Sequence, residues 1–296
     1  MKHFLKLEGM TPSVATAILQ RSTYFKQNRK SHPKLLDGQT WALLFSKPST
    51  RTRVSFEVAI RELGGNVMFL GMNDLQLGRG EPIADTARVF SRYSHGTVIR
   101  TYAQSDLEEF ARLAGHPVIN ALTDAEHPCQ ILADIFTYEE KRGSIAGKKM
   151  AFIGDASCNV PRSIAFAAEI FGFDLVCSAP TTYACDVKSP RVKNVVDPQA
   201  AAQGADILYT DVWISMGKES ETQLRLRDLQ GYQINRKLLD VAKPDAVVMH
   251  CLPAYRGKEI SEEVFEERAD DIFDQAENRL HTQKAIIEWC LQAEPK

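Results

Sequence analysis

The apolar run at residues 41–45 (WALLF) and the segment at 46–53 (SKPSTRTR) constrain the fold of this chain more than any other stretch. Five apolar residues bounded by turn-forming residues are typical of a buried strand in an open α/β sheet. Ser49 is a good N-cap for a helix that runs to Leu63, where Gly64 follows as a stop signal. The sequence therefore predicts a strand, a polar turn and a helix in direct succession.

The start of that helix carries groups that bind an anion. Its first backbone N–H groups have no partner within the helix, and ligands of open α/β sheets bind at the carboxyl ends of the strands. The hydroxyl groups of Ser49, Thr50 and Thr52 and a bidentate arginine add further hydrogen bonds. Taken alone, the segment is equally well interpreted as a capped surface helix with two solvated arginines.

Composition narrows the class of protein. The 296 residues are 44% hydrophobic and 25% charged, which is typical of a soluble chain with two domains. A net charge of -2 gives no basic surface, so we expect neither nucleic acid nor membrane as a partner. Residues 1–10 lack the apolar core of a secretion signal, and we expect a cytoplasmic protein. The six cysteines form no CxxC pair, which predicts reduced thiols.

Polar residues end several predicted strands of the first half. A helix begins after Thr11, and a long polar loop spans residues 71–82. Three more strands are predicted at residues 66–70, 97–99 and 117–121, with helices at 83–93 and about 107–113. Arg100 follows the strand at 97–99, and the segment TDAEHPCQ follows the strand at 117–121. His127 and Gln130 then lie about one turn apart at the start of another helix.

The second half repeats the pattern. A polar turn that ends at Gly147 marks the domain boundary, and strands are predicted at residues 151–153, 175–179, 207–209, 247–249 and 272–273. A final helix is predicted from about residue 277. GDASCN follows the first of these strands, DVWISMG the third and HCLPAYRG the fourth. The sequence lacks G-x-G-x-x-G and Walker A motifs, which argues against a nucleotide cofactor. We expect an α/β fold of two domains, each a mostly parallel sheet with helices on both faces, joined by two interdomain helices.

The motifs KPSTRTR, HPCQ, DVWISMG and HCLP, in this order, resemble those of the aspartate/ornithine carbamoyltransferase family, and the last two point to ornithine. The resemblance covers almost the whole chain. It implies a carbamoyl phosphate-binding domain at residues 1–134, completed by the helix at 277–296, and an ornithine-binding domain at 148–276. It also implies a homotrimer with shared active sites, transfer of a carbamoyl group to the δ-amine of L-ornithine in arginine metabolism, and no cofactor or metal ion.

The resemblance assigns roles residue by residue. Arg100, His127, Cys251 and Asp211 match the catalytic residues. The residues that match the carbamoyl phosphate site are Ser49, Thr50, Arg51, Thr52, Arg100, His127, Gln130, Arg279 and, from the neighbouring subunit, Gln76. The residues that match the ornithine site are Asn159, Asp211, Ser215, Met216, Cys251 and Leu252.

The chemistry of the reaction fits these residue types. Attack of an amine on the carbamoyl carbon builds negative charge on its oxygen, which Arg100, Thr52 and His127 would stabilise. A lysine-like amine has a pKa of ~10.4, so binding its neutral form near pH 7.4 costs about 4 kcal/mol. Cys251 and Asp211 are the candidates for orienting the amine or accepting its proton.

Two features of the sequence keep alternatives open. The family commonly has two asparagines where this chain has Cys158 and Asn159, and Arg162 adds a cation that would favour a more anionic amine. One alternative is a sister enzyme that uses putrescine or an N-acylated ornithine, although DVWISMG and Asp211 argue against it. A catalytically inactive homologue with a regulatory role, or a phosphate-binding module without chemistry, is the other.

Overall fold

The computed structural model describes residues 2–71, 74, 80–215 and 217–292. The chain divides into two compact units, one comprising Met1–Ala133 and Asn278–Lys296 and the other Asp134–Glu277. Each unit is built on one parallel sheet, so the predicted α/β fold is confirmed. In the described residues, no helix combines the length and hydropathy needed to cross a membrane.

The first unit has a four-stranded sheet in the order β2-β1-β3-β4. Its strands are β1 (Thr40–Phe45), β2 (Asn66–Gly71), β3 (Gly96–Arg100) and β4 (Val118–Leu122). Its helices are α1 (Pro12–Gln27), α2 (Thr50–Glu62), α3 (Ile83–Tyr93) and α4 (Gln104–Ala114). Each predicted strand of this half is present, because β1, β3 and β4 are short apolar runs that are almost fully buried.

The second unit has a five-stranded sheet in the order β7-β6-β5-β8-β9. Its strands are β5 (Lys149–Ile153), β6 (Asp174–Ser178), β7 (Val192–Val195), β8 (Ile207–Thr210) and β9 (Val247–His250). Its shorter helices are α6 (Asn159–Phe171), α7 (Pro198–Ala202), α8 (Thr222–Asp228), α9 (Arg236–Val241) and α10 (Glu262–Glu267). The boundary between the units falls inside two helices, α5 (Pro128–Arg142) and α11 (Ala269–Leu291).

The strand predicted at residues 272–273 is wrong, because both residues lie in α11, which begins eight residues before the predicted start. Ile272 is fully buried and Phe273 is 55% exposed, as neighbours on a helix can be. The buried side of α11 also carries polar residues such as Gln275 and Asn278, which hide the helical period of apolar residues. The fifth strand of the second sheet is instead β7, which lies at the edge of the sheet and whose central residues are exposed.

Candidate active site

The loops after β1 and β3 lie side by side at the switch point of the first sheet. The chain passes from β1 to β2 on one side and from β3 to β4 on the other, so a crevice forms between β1 and β3. Phe45 pairs with Arg100 in register, and the N–H of Ser46 donates to the Arg100 carbonyl at 2.8 Å. The predicted anion segment and Arg100 are therefore neighbours at this crevice.

The start of α2 is capped as the sequence predicts. The hydroxyl of Ser49 accepts a hydrogen bond from the N–H of Thr52 at 3.3 Å. The hydroxyl of Thr52 in turn accepts from Nη2 of Arg279 at 2.7 Å, and both side chains are buried. Ser49 and Arg51 are half-buried, and Thr50 is exposed. The structure thus brings Arg279 of α11 to the first turn of α2.

Arg100, His127 and Gln130 are buried at the same edge of the sheet. The carbonyl of His127 accepts from the N–H groups of Gln130 and Ile131 at 3.1 and 3.3 Å, so this histidine directly precedes α5 and accepts its first hydrogen bonds. Burial, with the positive charges of Arg279 and Arg100, lowers the pKa of His127 well below its usual value. The imidazole is therefore neutral near pH 7 and able to donate one N–H.

The second sheet has its own switch point between β5 and β8, because the chain proceeds outward from β5 through β6 and β7 and from β8 through β9. Thr210 of β8 pairs in register with His250 of β9, so Asp211 and Cys251 follow directly opposed residues. The thiol of Cys251 donates to Oδ1 of Asp211 at 2.9 Å, and the N–H of Val212 donates to the same oxygen at 2.7 Å.

Burial changes the ionisation of this pair. It raises the pKa of Asp211, which is only 8% exposed. It also raises the pKa of Cys251 well above its usual value, and the adjacent carboxylate of Asp211 acts in the same direction. Cys251 is therefore a neutral thiol that donates a hydrogen bond, and Asp211 is the acceptor of the pair.

The other predicted ornithine-site residues lie on neighbouring loops. Asn159, the last residue of GDASCN, is the first residue of α6, and Ser215 follows β8; both are half-buried. Leu252 has a positive φ of 60°, and its N–H donates to Nδ1 of His250 at 2.8 Å. Gln76 and Met216 lie outside the described residues.

Family models match both halves of the chain. The model described as aspartate/ornithine carbamoyltransferase, carbamoyl-P binding domain, matches residues 2–140, and the one described as the Asp/Orn binding domain matches residues 146–290. The chain belongs to the aspartate/ornithine carbamoyltransferase family.

Relatives and solved structures of this family cover nearly the full chain. An ornithine carbamoyltransferase of Akkermansia muciniphila is 52% identical over 97% of this chain and 97% of its own length. A structure of ornithine carbamoyltransferase from Pyrococcus furiosus has a TM-score of 0.90 at 44% identity and covers 97% of this chain and 96% of that one. The anabolic enzyme of Campylobacter jejuni has a TM-score of 0.92 at 40% identity, with coverage of 98% and 99%.

Two cations that form ion pairs with strand-end loops of this family member escaped the sequence prediction. Lys47, 3% exposed, forms an ion pair with Asp124, and its ammonium lies 4.1 Å from the centre of the Tyr102 ring. Arg225 of α8 donates from Nη1 to Asp155 at 2.5 Å. Lys47 stands within SKPSTRTR, which marks it as a candidate, whereas nothing in the sequence connects Arg225 with Asp155, seventy residues away.

The residues at which this chain departs from the usual family motif make local contacts. The Cys158 thiol donates to the carbonyl of Asp155 at 3.2 Å, and burial raises its pKa well above the usual value. The guanidinium of Arg162 forms an ion pair with Asp186 at 2.9 Å, with both side chains partly exposed. The extra cation at Arg162 thus already has an anionic partner.

The family resemblance implies no metal ion, but one cluster of side chains has the residue types that could ligate one. Among the described residues, donor atoms of Asp211, His250 and Cys251 lie within 4.8 Å of one another. Nδ1 of His250 accepts from the N–H of Leu252, and Nε2 lies 3.1 Å from the buried Glu259 carboxylate. With both ring nitrogens engaged, His250 is poorly suited to ligate a metal in this arrangement.

Proposed function

We propose that this protein is an ornithine carbamoyltransferase, which transfers the carbamoyl group of carbamoyl phosphate to the δ-amine of L-ornithine and releases L-citrulline and phosphate. The observation that carries the proposal is the partly buried hydrogen bond between the Cys251 thiol and the Asp211 carboxylate. A neutral donor and an anionic acceptor at one switch point suit a substrate amine that must lose a proton. The near full-length relatives named ornithine carbamoyltransferase support the same substrate.

The first unit supplies the carbamoyl phosphate site. The start of α2, with Ser49, Thr50, Arg51 and Thr52, binds the phosphate group through N–H groups, hydroxyls and a guanidinium. Arg100 and the neutral His127 donate to the carbamoyl oxygen, where charge develops during attack, and Gln130 and Arg279 complete the site. Because phosphate is the leaving group, the cations that bind it also stabilise the charge that it gains.

The second unit binds ornithine and helps to deprotonate it. Asn159, Ser215 and Met216 hold the α-amino and α-carboxylate groups, and Leu252 lies beside the reacting amine. Asp211 accepts the proton, because its Oδ1 is held by Cys251 and Val212 while its Oδ2 accepts no hydrogen bond from the described residues. Cys251 orients the carboxylate as a neutral thiol. The raised pKa of the buried Asp211 carboxylate brings it closer to the pKa of the amine, which lowers the cost of proton transfer between the two groups.

We further propose a cytoplasmic homotrimer that works in arginine biosynthesis, with Gln76 of each subunit entering the active site of its neighbour. The Campylobacter jejuni structure, described as an anabolic enzyme, supports the direction. Sedimentation of the purified protein, together with mixing of Gln76→Ala and Arg100→Ala subunits, tests the shared sites. Recovered activity in the mixture supports them, and none contradicts them.

The first experiment measures turnover of carbamoyl phosphate with ornithine, putrescine, N-acetylornithine, N-succinylornithine, lysine and aspartate, scoring the ureido product and released phosphate. We expect ornithine to exceed the others by orders of magnitude. Preference for an acylated ornithine would move the amine site toward Arg162, and Arg162→Gln would then abolish that preference. No product with any amine contradicts the proposal.

The same assay separates the roles of Asp211 and Cys251. Asp211→Asn removes the proton acceptor and is expected to lower kcat by about a hundredfold or more, in the usual range for a general base. Cys251→Ala removes only an orienting donor, so a smaller loss that is constant across pH is expected. If the Cys251→Ala variant lacks an ionisation that the wild type shows in its pH dependence of kcat, the assignment of the thiol as a neutral donor is contradicted.

A further inference from the structure

Glu126 is a buried carboxylate that directly precedes His127 and has no part in the proposed chemistry. It is 3% exposed. Its Oε2 accepts from the N–H of Leu7 at 2.7 Å, and its Oε1 accepts from the N–H of Glu8 at 3.4 Å. Removing a carboxylate from water is costly unless donors replace the lost hydration. These two donors come from the other end of the first unit's sequence, so Glu126 closes a long-range contact.

The contact holds the N-terminal segment, residues 3–8, against the first sheet. The N–H of Phe4 donates to the Val118 carbonyl at 2.9 Å, and the N–H of Asn120 donates to the Phe4 carbonyl at 2.7 Å. The side-chain amide of Asn120 donates to the Leu5 carbonyl at 2.8 Å. The N-terminal segment therefore pairs with β4 and reaches Glu126 where that strand has ended.

Glu126 also closes the turn that delivers His127. The N–H of Thr123 donates to the Glu126 carbonyl at 2.9 Å, and the N–H of Glu126 donates to the Thr123 hydroxyl at 3.2 Å. That hydroxyl donates to Oε1 of Gln104 at 2.8 Å. His127 is thus fixed by α5 on one side and by this turn on the other. A neutral imidazole donates usefully only from the correct position, so small displacements of the turn lower the rate.

We propose that Glu126 is a positioning residue for carbamoyl transfer, whose carboxylate binds the N-terminal segment to the turn at residues 123–126 and thereby orients His127. The inference rests on the proposed function, because it assumes that His127 contacts the carbamoyl group. It adds a residue, and a segment of the chain, to those that the reaction depends on.

The ionisation of Glu126 provides a readout that distinguishes positioning from a purely structural role. Burial raises the pKa of Glu126 to about 7, while the Leu7 and Glu8 amides act in the opposite direction. The charged groups facing it are Lys6, which lowers its pKa, and Glu8, which raises it. The carboxylate of Glu108 on α4 in turn raises the pKa of Lys6. Below pH 7 the carboxyl group becomes protonated, and its hold on two N–H donors weakens.

The test compares the full-length wild type with Glu126→Gln and with Glu109→Gln, an exposed carboxylate on α4, in the ornithine assay from pH 6 to 8.5. At pH 8, Glu126→Gln is expected to lower kcat about tenfold, because the Gln amide group offers only one acceptor oxygen to the two N–H donors. The KM for ornithine should change less than twofold. The ratio of wild-type to Glu126→Gln kcat should fall toward one as the pH drops through 7.

Thermal unfolding of each variant is measured in the same buffers, and kcat is taken well below the lowest melting temperature. Glu126→Asp, which keeps a shorter carboxylate, is expected to retain part of the rate, and it replaces Glu126→Gln in the comparison if that variant fails to fold. A Glu126→Gln variant that matches Glu109→Gln in kcat, or a kcat ratio that is constant with pH, overturns the positioning role and leaves the proposed function standing. Absence of citrulline from the wild type itself contradicts the proposed function and this inference with it.

Discussion

In each unit an ion pair connects two strand-end loops, Lys47 with Asp124 in the first unit and Arg225 with Asp155 in the second. The two ion pairs differ in their exposure to water. In the first unit, the side chain of Lys47 is 3% exposed and that of its partner Asp124 is 62% exposed. In the second, the side chains of Arg225 and Asp155 are 6% and 3% exposed. Lys47 connects SKPSTRTR to the turn before His127, and Arg225 connects GDASCN to the segment after β8, where it also lies 3.5 Å from the Trp213 carbonyl.

The difference follows from what the partner carboxylates do. Oδ1 of Asp155 accepts from both the N–H and the hydroxyl of Ser157, at 2.9 and 2.6 Å, so it shapes its own loop as well as holding Arg225. Asp124 keeps contact with water, and its N–H donates to the Tyr102 carbonyl at 2.8 Å. Removing one member of a buried ion pair strongly destabilises the folded protein, because the other charge stays buried without a partner. Removing the cation from an exposed carboxylate costs less, because water hydrates the carboxylate again.

The largest effect is expected from Arg225→Met. It leaves Asp155 as a buried charge without its cation, so the free energy of unfolding should fall by about 3–5 kcal/mol. Because both attached loops carry proposed ornithine ligands, the KM for ornithine should rise at least tenfold while that for carbamoyl phosphate stays within twofold. Urea unfolding and steady-state kinetics measure both.

Arg227→Met is the matched control, because Arg227 lies on the same helix with its side chain 72% exposed. Arg225→Lys is not expected to restore affinity, since Nε also donates to Glu221 at 2.8 Å and an ammonium cannot reproduce the fork. Equal losses in the Arg225 and Arg227 variants would refute the proposed loop connection.

The next largest effect is expected from acid. Burial lowers the pKa of His116, in the first unit, from 6.5 to about 4. The unfolded chain binds this proton below pH 6.5 and the folded chain does not until about pH 4, so stability is lost as the pH falls through that window. The loss attributable to His116 reaches about 3 kcal/mol at pH 4.

Glu126 has the opposite sign, because its folded pKa of about 7 makes stability fall as the pH rises from 4.5 to 7. The difference between wild type and His116→Gln in unfolding free energy isolates the histidine. We expect the wild type's advantage to decline steadily from pH 7 to pH 4, as measured by hydrogen exchange of the first unit's core amides. A constant difference would contradict the assignment.

Lys47→Met is expected to have a smaller effect than Arg225→Met. Methionine fills most of the buried stem, and Asp124 regains water, so the loss of the ion pair and of the contact with Tyr102 amounts to about 1–2 kcal/mol. The KM for carbamoyl phosphate should rise, and that for ornithine should not. Lys30→Met, at an exposed site, is the control. A loss as large as that of Arg225→Met would remove the distinction between the pairs.

The sequence predicted the strands and their polar ends because both are local patterns. Buried runs such as WALLF are apolar throughout, and the residues after them carry the chemistry. It did not predict the contacts that hold those ends together, since Arg225 and Glu126 act on residues seventy and about 119 positions away. It also misassigned residues 272–273, because α11 buries polar side chains that break the apolar period.

Salt is expected to distinguish the pairs by the smallest margin. At 1 M ionic strength the Debye length is about 3 Å, so a pair with an exposed carboxylate is screened and a buried one is not. Double-mutant cycles with Lys47→Met and Asp124→Asn, and with Arg225→Met and Asp155→Asn, give the coupling energy of each pair. Between 0.05 and 1 M NaCl, the first coupling, about 1 kcal/mol, should fall by roughly half, while the second should change by less than about 0.3 kcal/mol. If both couplings fall equally, water reaches Arg225 and Asp155, and the difference in exposure does not determine how the two units hold their loops.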